Sequence, residues 1–161
     1  MSTPPSVFER IADLLRGHGI EFTVLRHEPV YTSQQAAAVR GTPLASGAKA
    51  LLCRADGQTV LFVLPADRRL ASRAVSRAKG WRKLRFLSRE EVFEQTGLEP
   101  GAIPPFGSLF GVPTLCDRRL ADNESINFNA GDHSISVGLR YADYLRAENP
   151  EVGTFAEDET T

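Results

Sequence analysis

Along the chain, apolar positions change period several times, and each change predicts an element. Ser6 and Glu9 have the spacing of a capping box, and Val7, Phe8, Ile11, Leu14 and Leu15 follow at helical period until Gly17 and Gly19. From Glu21 to Arg26 the pattern alternates around Phe22 and Val24, which predicts a strand interrupted by His27-Glu28-Pro29. Ser33 is placed to cap a short helix through Val39, stopped by Gly41 and Pro43. A short apolar run, Ala48 to Cys53, predicts a core strand with one ionisable residue inside it, Lys49. Asp56-Gly57 is a hairpin signal, and Thr59 to Leu64 is the antiparallel return.

Asp67 is expected to open a second long helix with Leu70, Ala71, Ala74, Val75 and Ala78 on its apolar side and Arg69, Arg73 and Arg77 in a row on the other. Ser88 and Glu91 repeat the capping-box spacing before a helix that ends at Gly97. Gly101 to Gly107 is a stiff loop, because Pro104 and Pro105 fix φ and remove two donors while the glycines permit unusual angles. Val112 to Cys116 predicts a strand, with Leu120 an anchor after it. Ser125 to Asn129 and Ser134 to Val137 predict a hairpin around Ala130 to His133, and Leu139 to Ala147 a last helix. One domain over residues 1–150 follows, with 151–161 as an acidic tail expected to fray.

Charge narrows the reading. The net charge of -1 argues against a globally basic nucleic-acid binder, so any such contact needs a local patch. The stretch from Arg68 to Arg85 supplies one, since it contains no acidic residue. It suits either a phosphate-binding face or a solvated face paired with acids elsewhere. Trp81 within it fits a buried anchor better than a stacking platform.

Candidate chemistry is sparse. His18, His27 and His133 form no metal-binding spacing, and Cys53 and Cys116 form no Cys-x-x-Cys pair, so neither a metal nor another cofactor is expected. A nucleophile elbow and a phosphate-binding Gly/Lys loop are both absent from the sequence. The Cys53 strand setting predicts an inert thiol. No apolar run is long enough to span a membrane, and the start lacks a basic segment followed by an apolar one, so a cytoplasmic protein is the default expectation. What remains is Lys49, the Gly/Pro loop, and a polar hairpin with Asn129, Gly131 and His133. An ammonium on a core strand is costly unless it is partnered or opens into a cleft; the alternative is a half-exposed strand with Lys49 in solvent. Together the three features suit orienting an ester and stabilising charge on its carbonyl oxygen.

Gly47-Ala-Lys49-Ala-Leu-Leu, the Gly101-x-x-Pro-Pro-Phe-Gly107 loop, Val112-Pro-Thr with Asp117, and Ile126-Asn-Phe-Asn-Ala-Gly131, in this order and spacing, resemble the YbaK/ProX family of trans-editing aminoacyl-tRNA deacylases. That family is related to the insertion domain of bacterial prolyl-tRNA synthetase. The resemblance implies an α+β fold with a highly twisted, barrel-like mixed β-sheet and packed helices. It implies metal-independent hydrolysis of the ester on mischarged tRNA carrying a small amino acid of the Ser, Thr or Ala class. The implied partners are mischarged tRNA and an aminoacyl-tRNA synthetase, with no membrane.

On this resemblance Lys49 matches the essential lysine, and Gly101, Ala102 and Ile103 contact the reacting ester. Pro105, Phe106, Gly107, Phe128, Asn129, Gly131 and His133 form the substrate pocket, while Arg69, Arg73 and Arg77 meet tRNA phosphates. Some alanine-specific members carry a histidine where this chain has Asn129. That departure counts against alanine, and Asn129 and His133 facing a Ser or Thr side chain is one reading. Two other functions fit the same residues: a non-catalytic module that binds tRNA or a synthetase, and a small-ester hydrolase without a nucleic-acid partner.

Overall fold

The computed structural model describes residues 3–158, and α1 (Val7–Gly17) opens it. The Ser6 hydroxyl accepts from the Glu9 N–H and the Glu9 carboxylate accepts from the Ser6 N–H, so the predicted capping box is formed. β1 (Thr23–Arg26), α2 (Ser33–Arg40), a 3₁₀ turn at Leu44–Ser46, β2 (Ala48–Ala55) and β3 (Gln58–Pro65) follow. Thr32, one residue before the expected Ser33, caps α2 through the Gln35 N–H. Asp56 (φ 48°) and Gly57 (φ 87°) make the β2–β3 turn with both central residues left-handed, the geometry that suits the twist of a two-residue hairpin.

The chain continues through α3 (Ser72–Lys79), β4 (Leu84–Phe86), α4 (Arg89–Thr96) and β5 (Thr114–Asp117). It closes with β6 (Ser125–Asn129), β7 (Ile135–Arg140), α5 (Tyr141–Glu148) and β8 (Glu151–Gly153). Two sheets result. One is antiparallel, in the order β1-β7-β6; the other is mixed, in the order β4-β2-β3-β5-β8, with β3, β5 and β8 parallel. This is the α+β architecture expected. The mixed sheet does not close on itself; a parallel bridge between Gly47 and Asn127 joins it to the antiparallel sheet at the start of β2. No helix is long and apolar enough to cross a membrane among the described residues.

β3 explains the unbroken apolar run in its sequence, because both of its faces are covered. Leu61 and Val63 enter the main core with Ile11, Leu15, Phe106, Phe128 and Tyr144. Val60, Phe62 and Leu64 enter a second core with Val75, Leu115 and Phe155, where Phe62 meets Trp81 edge-on. Emptying either face at a large side chain costs about 3–5 kcal/mol.

Three expectations need correction. α3 starts at Ser72, not Asp67, because residues 68–71 are held extended by the C-terminal segment: Leu70 bridges Ala156, and Glu157 N–H donates to Arg69 O at 2.7 Å. Arg69 therefore stands outside the helix, and the row reduces to Arg73 and Arg77. The last helix starts at Tyr141, since Leu139 and Arg140 pair with Ile126 and Ser125 in β7.

The acidic tail does not fray over 151–158. β8 extends the sheet, and the buried Asp117 carboxylate accepts the N–H groups of Phe155 (2.8 Å) and Ala156 (2.7 Å). The remaining tail positions, 159–161, lie outside the described residues.

Candidate functional site

Where the two sheets meet, α2, the first residues of β2, the Gly101 loop and the β6–β7 turn enclose a cleft of about 190 Å³. Strand alternation decides where Lys49 goes. Ala48, Ala50 and Leu52 face the main core, so Lys49 shares the opposite face with Leu51 and Cys53, and it stands at the strand end beside the cleft. Its ammonium donates to the Arg68 carbonyl at 2.5 Å and pairs with no carboxylate among the described residues. Burial pushes the Lys49 pKa below its ordinary 10.5; Asp67 opposes that shift and Arg69 adds to it. One backbone oxygen leaves two of the three ammonium protons for a ligand.

The opposite wall is polar. Arg40, the last residue of α2, donates from Nε to Ser136 Oγ and from its two terminal nitrogens to Asn127 Oδ1 and Asn129 Oδ1, each at 2.8 Å. Burial lowers its pKa from 12.5 to about 10, which leaves it cationic at neutral pH. Asn129 Nδ2 donates to Gly101 O at 2.8 Å. His133 Nδ1 lies 3.1 Å from Val30 O, which can only accept, so Nδ1 carries a proton. Its Nε2 is buried without a hydrogen bond, 3.6 Å from Glu99 Oε2, and its ring leans on Tyr31.

Gly101 (φ 89°) takes a conformation few other residues tolerate, and a Cβ there would press on the His133 ring at 3.3 Å. Around this bend, the Ala102 N–H is committed to Glu99 O, and Ala102 O to the Gly131 N–H. The N–H groups of Gly101 and Ile103 meet no acceptor among the described residues.

Lys49, Gly101, Ile103, Phe128, Asn129 and His133 are thus brought together around one cleft, and the other expected pocket residues are not. Ala102 lies behind its lining with its N–H already used. Pro105 is buried and gives its carbonyl to the Tyr144 hydroxyl at 2.7 Å. Phe106 is fully buried against Phe128 and Tyr144. Gly107 is packed so tightly that a Cβ would come within 2.4 Å of Val112 O. Gly131 (φ 82°) is pressed against the Val7 side chain. These residues shape the cleft from behind and do not face it. Arg69 is close enough to Lys49 to shift its pKa, and Arg73 and Arg77 are exposed on α3.

Arg40 is the residue that sequence reasoning missed. It presented as the basic end of a short helix, and its partners lie 87 to 96 residues away in sequence. Burial raises both thiols to about 12, which removes Cys53 and Cys116 as nucleophiles at neutral pH. Among the described residues, no group of three or more His, Cys, Asp or Glu side chains could hold a metal ion.

The chain is similar to known proteins over most of its length. It is 38% identical over 152 residues, 91% of each chain, to the multifunctional Ser/Thr-tRNA deacylase ProXp-y of Escherichia coli K12. It is 28% identical to the prolyl-tRNA editing protein ProX of Acetoanaerobium sticklandii, over 84% of this chain and 87% of that one. A crystal structure of a candidate trans-editing enzyme for prolyl-tRNA synthetase superposes with a TM-score of 0.84 at 23% identity, covering 98% of this chain and 100% of the other; this likeness speaks for the fold. A family model for the aminoacyl-tRNA editing domain matches residues 27–147. The chain is a member of the aminoacyl-tRNA editing domain family.

Proposed function

We propose that this chain hydrolyses, in trans, the ester of tRNA mischarged with serine or threonine, with alanine a weaker substrate. The observation that carries the site assignment is the Lys49 ammonium: half-buried at the cleft, tied to a single backbone carbonyl and to no carboxylate among the described residues. The 38% identity to a Ser/Thr-tRNA deacylase supports the substrate class.

In this reading the aminoacyl group enters the cleft between Lys49 and the β6–β7 turn. Water attacks the ester carbonyl, and negative charge develops on its oxygen; collapse of the tetrahedral intermediate breaks the acyl carbon–oxygen bond, and the proton from the water passes through solvent to the departing ribose oxygen. Lys49 supplies positive charge beside that oxygen, and the open N–H groups of Gly101 and Ile103 donate to it, so the stabilisation is preorganised. Asn129 and His133 flank the substrate side chain, and the second Nδ2 proton of Asn129 can meet a hydroxyl there. Phe128 closes the cleft floor, and Gly131 holds the turn against α1. The tRNA body runs outward over Arg69, Arg73 and Arg77, none of which pairs with an acid among the described residues. A charged-tRNA substrate implies action in the cytoplasm. Co-migration with a synthetase, with and without tRNA, tests whether that enzyme is a direct partner.

Single-turnover deacylation over a panel of Ser-, Thr-, Ala- and Pro-charged tRNAs tests the proposal. Ser- and Thr-tRNA should be cleared fastest, and activity should persist after exhaustive chelation. Binding of charged tRNA with an unchanged ester lifetime would reduce the chain to a binding module. Indifference to the tRNA body would make it a small-ester hydrolase.

A further inference from the structure

Arg40 is unusual among the basic residues. It is largely desolvated, yet its three hydrogen bonds go to neutral side-chain oxygens and no carboxylate lies within ion-pair reach among the described residues. A guanidinium that only neutralised charge would sit beside an acid. This one is spread across α2, β6 and β7, with each edge of its plane assigned to a different partner. The two outer supports are themselves fixed: Ser136 Oγ lies 2.7 Å from His27 Nε2, and Asn127 Nδ2 donates to Ser46 Oγ at 3.0 Å.

The consequence falls on Asn129. A guanidinium has five donors and no acceptor, so the atom of Asn129 facing Arg40 must be its oxygen. The amide nitrogen is thereby turned to Gly101 O. One Nδ2 proton is used there, and the other stays uncommitted on a side chain that lines the cleft. Without Arg40 the amide would be held by the Gly101 carbonyl alone, and its free N–H would swing away from a single direction.

Resting on the deacylase reading above, we propose that Arg40 is a positioning residue for specificity: it fixes the Asn129 amide so that an N–H donor meets the hydroxyl oxygen of a Ser or Thr substrate, and through the same amide it steadies the Gly101 bend. A site built around such a bond discriminates against a substrate without the hydroxyl. Alanine is that substrate.

The test is a double-mutant cycle read on the ratio of Ser-tRNA to Ala-tRNA deacylation rates, with melting curves alongside. Arg40→Met should lower the ratio about tenfold, the value of one directed hydrogen bond. Arg40→Lys should not restore it, because one ammonium cannot span three partners in a plane. Arg40→Met combined with Asn129→Ala should give the ratio of Asn129→Ala alone. A folded Arg40→Met with the wild-type ratio, or two effects that multiply independently, overturns the proposal.

If Arg40→Met does not fold, Ser136→Ala replaces it. That variant removes only the Nε acceptor and should shift the ratio the same way by a smaller factor; an unchanged ratio overturns the proposal. The side-chain amide resonances of Asn129 give a readout independent of activity. In the wild type they should be distinct and slow to exchange, and in Arg40→Lys that protection should be lost. Resonances unaltered by Arg40→Lys contradict the positioning role even if no tRNA proves to be a substrate. A failed tRNA panel with protection lost as expected would instead fault the deacylase reading and leave the positioning intact.

Discussion

The cleft and the segment from Lys79 to Arg89 hold basic residues in opposite ways. In the cleft, Lys49 and Arg40 are partly desolvated and bonded only to neutral oxygens. On the outer surface, Arg85 grips Glu91 with two bonds of 2.8 and 2.9 Å, Lys79 pairs with Glu151, and Arg89 meets Glu99 at 2.9 Å. Exposed pairs of that kind contribute little, because water and salt screen them. A cation partly kept from water with no carboxylate in ion-pair reach among the described residues is costly, so its retention calls for a reason beyond folding. The density of Lys and Arg in the sequence is highest at the surface segment, yet Lys49 and Arg40, which line the cleft, are each flanked in sequence by apolar or small residues. Charge count points to the surface segment; partial desolvation without an ion pair points to the cleft.

Exchanges on both sides of this contrast would test it. The largest effect belongs to Lys49. Lys49→Ala should lower deacylation about a hundredfold, the usual loss for one electrostatic contact to a transition state, and Lys49→Arg should rescue it poorly, since a fork does not fit where a compact ammonium sat. Rate measurements on both variants check this. Asn129→Ala should come next, reducing Ser- and Thr-tRNA turnover about tenfold more than Ala-tRNA turnover; equal loss on all three would make Asn129 a shared structural support.

Replacing Arg69, Arg73 and Arg77 by Gln should act on binding more than on chemistry. The salt dependence of tRNA affinity should flatten by roughly one unit for each phosphate that is no longer neutralised. An unchanged slope would return these residues to the solvated surface. Arg85→Gln, on the paired side, should alter neither rate nor affinity appreciably.

The smallest effect is on stability. The folded-state pKa of Lys49 lies below its unfolded value, so the unfolded chain binds more protons across that window. The penalty of holding the charge is therefore complete below the folded pKa and disappears as pH rises from there toward 10.5. Denaturation at a series of alkaline pH values should show that rise in wild type and less of it in Lys49→Met.

Local signals made much of the fold legible. The capping boxes at Ser6/Glu9 and Ser88/Glu91 and the Asp56-Gly57 turn involve atoms a few residues apart, and all three formed as expected. Features set by distant chain were not legible. The start of α3 moved to Ser72 because the C-terminal segment captures residues 68–71, and β8 formed because Asp117 holds Phe155 and Ala156. The Gly101–Gly107 loop showed the same division. Its first bend reaches the cleft, while Phe106 turns inward to pack on Phe128 and Tyr144. Lys49 was visible because one charge interrupts an apolar run. Arg40 was not, because nothing within α2 reports that Asn127, Asn129 and Ser136 will surround it.

The most direct measurement is single-turnover deacylation of Ser-tRNA by Lys49→Met, with a thermal melt of the same sample. Methionine keeps most of the side-chain volume and removes the charge, so the two readouts separate chemistry from packing. If Lys49 supplies the charge beside the reacting carbonyl, the rate falls about a hundredfold while the melting temperature holds or rises. A near-normal rate, or a lost rate with a collapsed melting temperature, would contradict that role.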